Sequence, residues 1–281
     1  MRLWPCLLAI LLASAWPGAC EIHDVLRSAE IDALLANTDK STDVLVKPNY
    51  IISLRVQSKP GSWVTHFDAD EIWVVRHGSA RLSLGPATLT TGVRRSADAN
   101  YDVGAGDVVN VPRTMAYQIV PSARLEYIAV QITPERKQEA GGAGAPRAAG
   151  TGSRKPMPHV VPNATIQETF LKSTSNQPLH TMGVASMNHV IYLGAPGPYE
   201  AHSYVDDIYF VRLGAAVARV DGHLVNPTEV SPGEVRGTGA FGFREYKIGV
   251  GDILSIPRNT MHHMDPGPEK LGYLLLKVRS E

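Results

Sequence analysis

The stretch PGPYEAHSYVDDIYFVRLG at residues 196–214 echoes PGSWVTHFDADEIWVVRHG at residues 60–78 without a gap. Pro60 and Gly61, His66, Asp70, Ile72, Val75 and Arg76, and Gly78 recur as Pro196 and Gly197, His202, Asp206, Ile208, Val211 and Arg212, and Gly214. A second block follows at its own constant offset: Tyr101, Gly104, Gly106, Asp107, Pro112 and Arg113 return as Tyr246, Gly249, Gly251, Asp252, Pro257 and Arg258. Self-similarity of this kind marks a duplicated structural unit and takes precedence over any local reading. The second copy is nine residues longer between its blocks, and the surplus falls in Val225 to Phe243, a Gly- and Pro-containing loop placed to overhang the unit.

Each copy has one order: an extended run ending in a His, a turn, an acidic residue opening an apolar strand, then Gly-x-Gly-Asp, a short apolar run and Pro. Along a strand, residues two apart share a face. Glu200 therefore points with His202, and Asp207 with Tyr209, and a hairpin between the strands brings the four together. Gly249, Gly251 and Asp252 suit a turn that needs positive φ, and Pro257 ends the strand 253–256 before the chain returns through His262.

Outward from the repeat, the segment Pro134–Pro158 is rich in Ala, Gly, Pro and Arg and has too little apolar surface to offset its ordering entropy, so it reads as a linker. The expected first domain covers residues 21–133 and the second 159–281. Leu26, Ile31, Leu34 and Leu35 have helical spacing and predict a small helix within Asp24–Asn37, packed outside the first unit. Residues 1–20 read as an export signal: Arg2, an apolar run from Leu3 to Ala13, then small residues. Cys20 after Pro17-Gly18-Ala19 is only a loose match to a lipoprotein anchor, so release to a secreted or periplasmic location is the expectation. Cys6 and Cys20 both fall in this segment, which leaves residues 21–281 without cysteine, hence without an internal disulfide or a thiolate metal site. Asn163-Ala164-Thr165 fits the glycosylation pattern and would matter only in a eukaryotic secretory pathway.

Among 281 residues, Lys plus Arg and Asp plus Glu both total 27, so no net field favours nucleic acid or an anionic membrane. No run of apolar residues is long enough to predict a retained membrane span. With 25 Gly and 20 Pro beside runs such as Ile72-Trp73-Val74-Val75, short strands and many turns are expected.

These motifs resemble those of the cupin family, whose first motif holds two His two apart, an acid and a later Gly, and whose second runs Gly-Asp, strand, Pro and a third His. The resemblance covers both copies and implies an all-β chain of two cupin-type barrels, each a double-stranded β-helix or jelly roll, joined by the linker. It further implies a metal or ligand site at each barrel centre. In the second copy the family's ligand columns hold Glu200, His202, Asp207 and His262. In the first copy they hold Val64, His66, Glu71 and Tyr117, a degenerate set.

Two imidazoles and one or two carboxylates match the preference of Fe(II), Mn(II) or Zn(II) for mixed nitrogen and oxygen ligands, and a two-His, one-carboxylate set leaves positions open for substrate, dioxygen or water. The alternative is that His202 and His262 are hydrogen-bonded barrel residues inherited from a metal-binding ancestor. Asp207 is a methylene shorter than the family's usual Glu, so Glu200 or Asp207 is the bound carboxylate. Glu200 and Tyr209 are the candidate catalytic side chains. Tyr199 and Tyr204 are further candidates for a pocket wall, with Tyr204 sharing the inward parity, and His263 is expected to face outward. Arg76 and Arg212 have the opposite parity and belong to solvent or an interface. Arg236 is either a solvated loop charge or a residue that reaches a carboxylate substrate. No nucleophile elbow, phosphate loop or Cys pair is present. Two functions stand open: a metal-dependent enzyme acting on a small, oxygen-rich molecule, with oxidative cleavage first and decarboxylation or isomerisation behind it, and a non-catalytic binding or storage protein. Homo-oligomerisation through outer strands is open as well.

Overall fold

The structure, a computed structural model, describes residues 24–86, 99–133, 159–170, 175–182, 186–266, 268 and 270–279. The expected export segment, both cysteines and the linker lie outside the described residues.

The described residues are mostly antiparallel strands. In the N-terminal half a six-stranded sheet has the order His159–Val161, Val108–Val111, Asp70–His77, Leu125–Ile132, Tyr50–Gln57, Thr42–Val46. A four-stranded sheet runs Val64–Thr65, Met115–Pro121, Ser79–Pro86, Ala99–Gly104. Alternation along these strands sends Trp73, Val75, Leu82, Leu84, Val109, Tyr117 and Ala129 into one buried cluster. The C-terminal half repeats the plan around Val205–Val220, whose first part pairs Ile253–Ile256 and Leu271–Arg279 and whose second part pairs Arg244–Gly249 and His262–Asp265. Its own cluster contains Tyr209, Val211, Ala218, Leu254, Met264, Tyr273 and Leu275.

A glycine at positive φ closes the first matched block of each copy. Gly214 has φ +67°, and a Cβ there would lie 1.7 Å from the Lys270 carbonyl oxygen; Gly78 has φ +79° and a gap of only 2.0 Å to the Arg124 oxygen. Only glycine fits either place.

Residue identities one step along, Ile72, Val74, Ile208 and Phe210, point the other way and join Tyr50, Ile52, Leu54, Ile128, Leu274 and Leu276 in a third cluster shared by both halves. Full burial of each such side chain contributes about 1.5–3 kcal/mol, so this cluster welds the halves. Two short helices close it, Ser28–Ala36 through Ile31 and Leu35, and Asn163–Phe170 through Ile166 and Phe170. The helix expected within Asp24–Asn37 thus starts later than its spacing indicates: Asp24–Leu26 is a strand, because Asp24, Val25 and Leu26 pair with Ser255, Leu254 and Ile253 of the other half. Reciprocally, His159–Val161 pairs with Asn110, Val109 and Val108. Each half lends its first strand to the other half's sheet. The helix at 163–170 was not anticipated, although Ile166 and Phe170 stand four apart as Ile31 and Leu35 do. Asn163, the glycosylation candidate, accepts a hydrogen bond from Arg212 (3.0 Å) and donates its backbone N–H to Asp107 (2.7 Å), so its amide belongs to the junction of the halves.

The nine extra residues of the second copy are not an open loop. They form Thr228–Ser231 and Glu234–Gly237, the latter pairing with Tyr199–His202 so that Glu200 stands opposite Arg236.

Candidate metal centre

The repeated Asp and Pro-Arg residues hold the candidate site in shape without lying in it. Asp206 is buried and accepts the Arg258 backbone N–H (2.7 Å) and the Asn49 amide (2.8 Å). Asp70 does the same for Arg113 N–H (2.7 Å). This bond turns the chain after Pro257 so that Asn259, at φ +62°, donates its N–H to the His202 carbonyl (2.7 Å); Thr114, at φ +66°, donates to His66 in the same way. The strand His262–Asp265 is thereby fixed beside Tyr199–His202, with Glu200 opposite His262.

His202 Nε2 lies 3.4 Å from Asp207 Oδ2 and 3.9 Å from Glu200 Oε1; His262 Nε2 lies 3.5 Å and 3.7 Å from the same two oxygens. Donor atoms around one ion at bond lengths of about 2.1 Å stand about 3–4 Å apart, so this spacing fits a single cation. Glu200, His202 and His262 form the one group of three such side chains among the described residues whose ligand atoms all lie within 4.8 Å of one another. His262 Nδ1 faces the Thr260 carbonyl (3.1 Å), while its Nε2 is buried with no hydrogen-bond partner. Two imidazole nitrogens and two carboxylates gathered at this spacing form a mixed nitrogen and oxygen donor set that a metal ion can complete.

Burial works against charge on Glu200, yet the neighbouring His262 and His202 overcome it and hold the carboxyl down at about 2. Burial likewise opposes charge on His262, but Glu200 and Asp207 raise it above the usual imidazole range. His202 moves the other way: burial lowers it, and Lys277 and His262 add to the fall.

Lys277 was not anticipated from the sequence. It pairs with Asp207 across adjacent strands, and its Nζ lies 3.0 Å from His202 Nε2 and 3.1 Å from Asp207 Oδ1. The ammonium therefore already neutralises Asp207 and donates to the His202 lone pair. Asp207 is the more committed carboxylate and Glu200 the freer one. Arg236, half exposed, sits at the rim with Nε 3.5 Å from Glu200 Oε2 and Nη2 2.7 Å from Glu234.

Tyr209 is buried in the wall, its ring edge-on to His262 at 6.3 Å and beside Tyr273 at 5.1 Å. Burial first, then Asp207, pushes its hydroxyl well above the usual phenol range, so it stays protonated and keeps an O–H to donate. Tyr204 does not line the site: it is 60% exposed and covers Gly233, because the turn after His202 breaks the alternation assumed for it. Tyr199 stacks on His263 (3.9 Å between centroids), which faces away from His262's side but is buried beneath that ring rather than in solvent.

In the N-terminal half the same columns are filled by organic contacts. His66 Nε2 pairs with Glu71 Oε1 (3.2 Å), Gln131 approaches His66 Nδ1 (3.4 Å) where Lys277 stands in the other half, and Arg55 lies 3.8 Å from Glu71. Trp73 donates to Glu71 (3.1 Å) and packs edge-on to Tyr117.

The chain matches no protein-family model and no curated protein by sequence. Solved structures do match in fold. A salicylate 1,2-dioxygenase from Pseudaminobacter salicylatoxidans superposes with a TM-score of 0.64 at 8% identity, over 92% of this chain and 84% of that one. A glyoxylate-induced protein from Pseudomonas aeruginosa, so described provisionally, gives 0.57 at 12% identity over 96% and 92%. A cupin 2 conserved barrel domain protein from Leptotrichia buccalis gives 0.56 at 12% identity over 93% and 99%. No helix among the described residues is long and apolar enough to cross a membrane. The chain therefore has the fold of the cupin-domain proteins.

Proposed function

We propose that this chain is an exported bicupin in which the C-terminal barrel holds a divalent metal, Fe, Mn or Zn, and the N-terminal barrel has lost its site. The metal-dependent reading rests on one observation: Glu200, His202 and His262 each bring a ligand atom to within 4.8 Å of the others. His202, His262 and Glu200 would hold the ion, with Asp207 in reserve. When bound, such an ion supplies Lewis-acid or redox chemistry. Around it, Glu200 is kept ionised beside Arg236, Lys277 donates a hydrogen bond to His202, and the neutral Tyr209 hydroxyl is a donor in the wall. This cationic rim of Arg236 and Lys277 suits a small substrate bearing carboxylate or other oxygen groups, and oxidative cleavage is the reaction favoured by the likeness in fold to a dioxygenase.

A binding or storage protein is the second reading. The Lys277 ammonium on His202 favours it, because a cation of the chain's own already satisfies part of the site.

Metal analysis of untagged protein decides between them. Near-stoichiometric Fe, Mn or Zn, lost in His262→Ala, supports the metal-dependent reading; a metal-free protein that also fails to take up added Mn(II) or Zn(II) overturns it.

A further inference from the structure

Away from the candidate metal centre, a cleft of about 320 Å³ opens at the junction of the two halves, lined by Val75, Arg76, Gly106, Val211, Arg212 and Gly251 among others. That volume is at the lower end of small-molecule sites, about 300 Å³ upward. Arg76 and Arg212 are equivalent residues of the repeat, and alternation along their strands turns them away from the two barrel interiors and into this cleft. Each reaches the Gly-x-Gly-Asp turn of the opposite half: Arg76 Nη1 donates to the Gly251 carbonyl (3.1 Å), and Arg212 Nη2 to the Gly106 carbonyl (2.9 Å).

Their charges are not equally matched. Arg76 has Asp32 at 2.6 Å. Arg212 has no such ion pair among the described residues, Asp107 acting on it only through its charge; its other partner is the neutral Asn163 amide. The oxygens of nearby Asp107 are taken by the backbone N–H groups of Gly104 and Asn163. Arg76 Nε and Arg212 Nη1 are both buried without any hydrogen-bond partner. Burial and the Arg76 charge both lower the Arg212 guanidinium below its usual range, as expected of two cations sharing a partly desolvated space. Both arginines line a cavity large enough for a ligand, and only Arg76 has an ion pair there among the described residues. Guanidinium groups in such positions are matched by oxyanions, which accept charge-assisted hydrogen bonds from both.

We propose that this junction is a binding site for a small oxyanion, a carboxylate or a phosphate, held between Arg76 and Arg212. It is independent of the metal centre, whose ligands face the interior of one half.

Isothermal titration of the full chain with inorganic phosphate and, separately, malonate at constant ionic strength tests it. One saturable event per chain is expected for at least one of the two, and the anion that binds identifies the group recognised. Binding falls about tenfold or more in Arg212→Gln and in Arg76→Gln. It is unchanged in Arg81→Gln, whose exposed pair with Asp102 is remote from the cleft, and in His262→Ala, which separates this site from the metal centre. No saturation with either anion, or equal binding in Arg212→Gln, overturns the proposal. Should Arg212→Gln not fold, selenate-soaked crystals of the unaltered protein decide: an anomalous peak between the two guanidinium groups supports the site, and its absence overturns it.

Discussion

Lys277 Nζ lies 3.0 Å from His202 Nε2, so the nitrogen that would face a metal already accepts a hydrogen bond from the chain. Lys277→Met removes the competing donor and a like charge. It is expected to raise affinity for Mn(II) or Zn(II) about tenfold, measured by competition with a chelating dye. Equal affinity in the variant would show that the ammonium does not contest the site.

Asp206→Ala strips the Arg258 N–H and the Asn49 amide of their acceptor. A loss of about 2–3 kcal/mol is expected from denaturant unfolding, with reduced metal uptake because the turn through Asn259 carries His262. Asp70→Ala, its counterpart, should cost similar stability and leave metal uptake unchanged.

The His66–Glu71 pair gives a pH signature. Burial opposes charge on Glu71, but His66 and Arg55 keep it below its ordinary range, while Glu71 raises His66 above its own against the effect of burial. The His66 contribution is complete below its unfolded value of about 6.5 and is lost as pH rises through the higher folded value; the Glu71 contribution is lost as pH falls through its lowered value. The melting difference between the unaltered protein and His66→Gln should be largest below about pH 6.5 and shrink as the pH rises through the higher folded value. A difference that grows on the alkaline side would contradict the pairing.

Phe210 belongs to the cluster shared by both halves, and Phe210→Ala should cost about 3–5 kcal/mol. Because that cluster is common, calorimetry should still record one transition. Two separate transitions would mean that the halves fold independently.

The sequence disclosed the part of the architecture that the repeat spells out. Glu200, His202, Asp207, Tyr209 and His262 were brought together by strand parity and by a hairpin, and the structure places all five within one region. Lys277 escaped because it lies on the last strand, beyond both motif blocks. Its counterpart Gln131 has different chemistry, so nothing marked the position except the matched tyrosines, Tyr127 and Tyr273, four residues before each. Tyr204 was misplaced because parity was carried through a turn. The partners of Asp24–Leu26 were illegible for another reason: three apolar-leaning residues say that they extend, not which sheet edge receives them, and that choice is made by the cluster under both halves.

The lending of first strands in both directions is what two subunits do when they swap arms across a dyad. Here both partners of the swap are one polypeptide, so the association is first order and dilution cannot undo it. A protease cut between residues 134 and 158 should therefore yield a complementing pair of fragments that co-purify under native conditions, each clasped by a segment of the other.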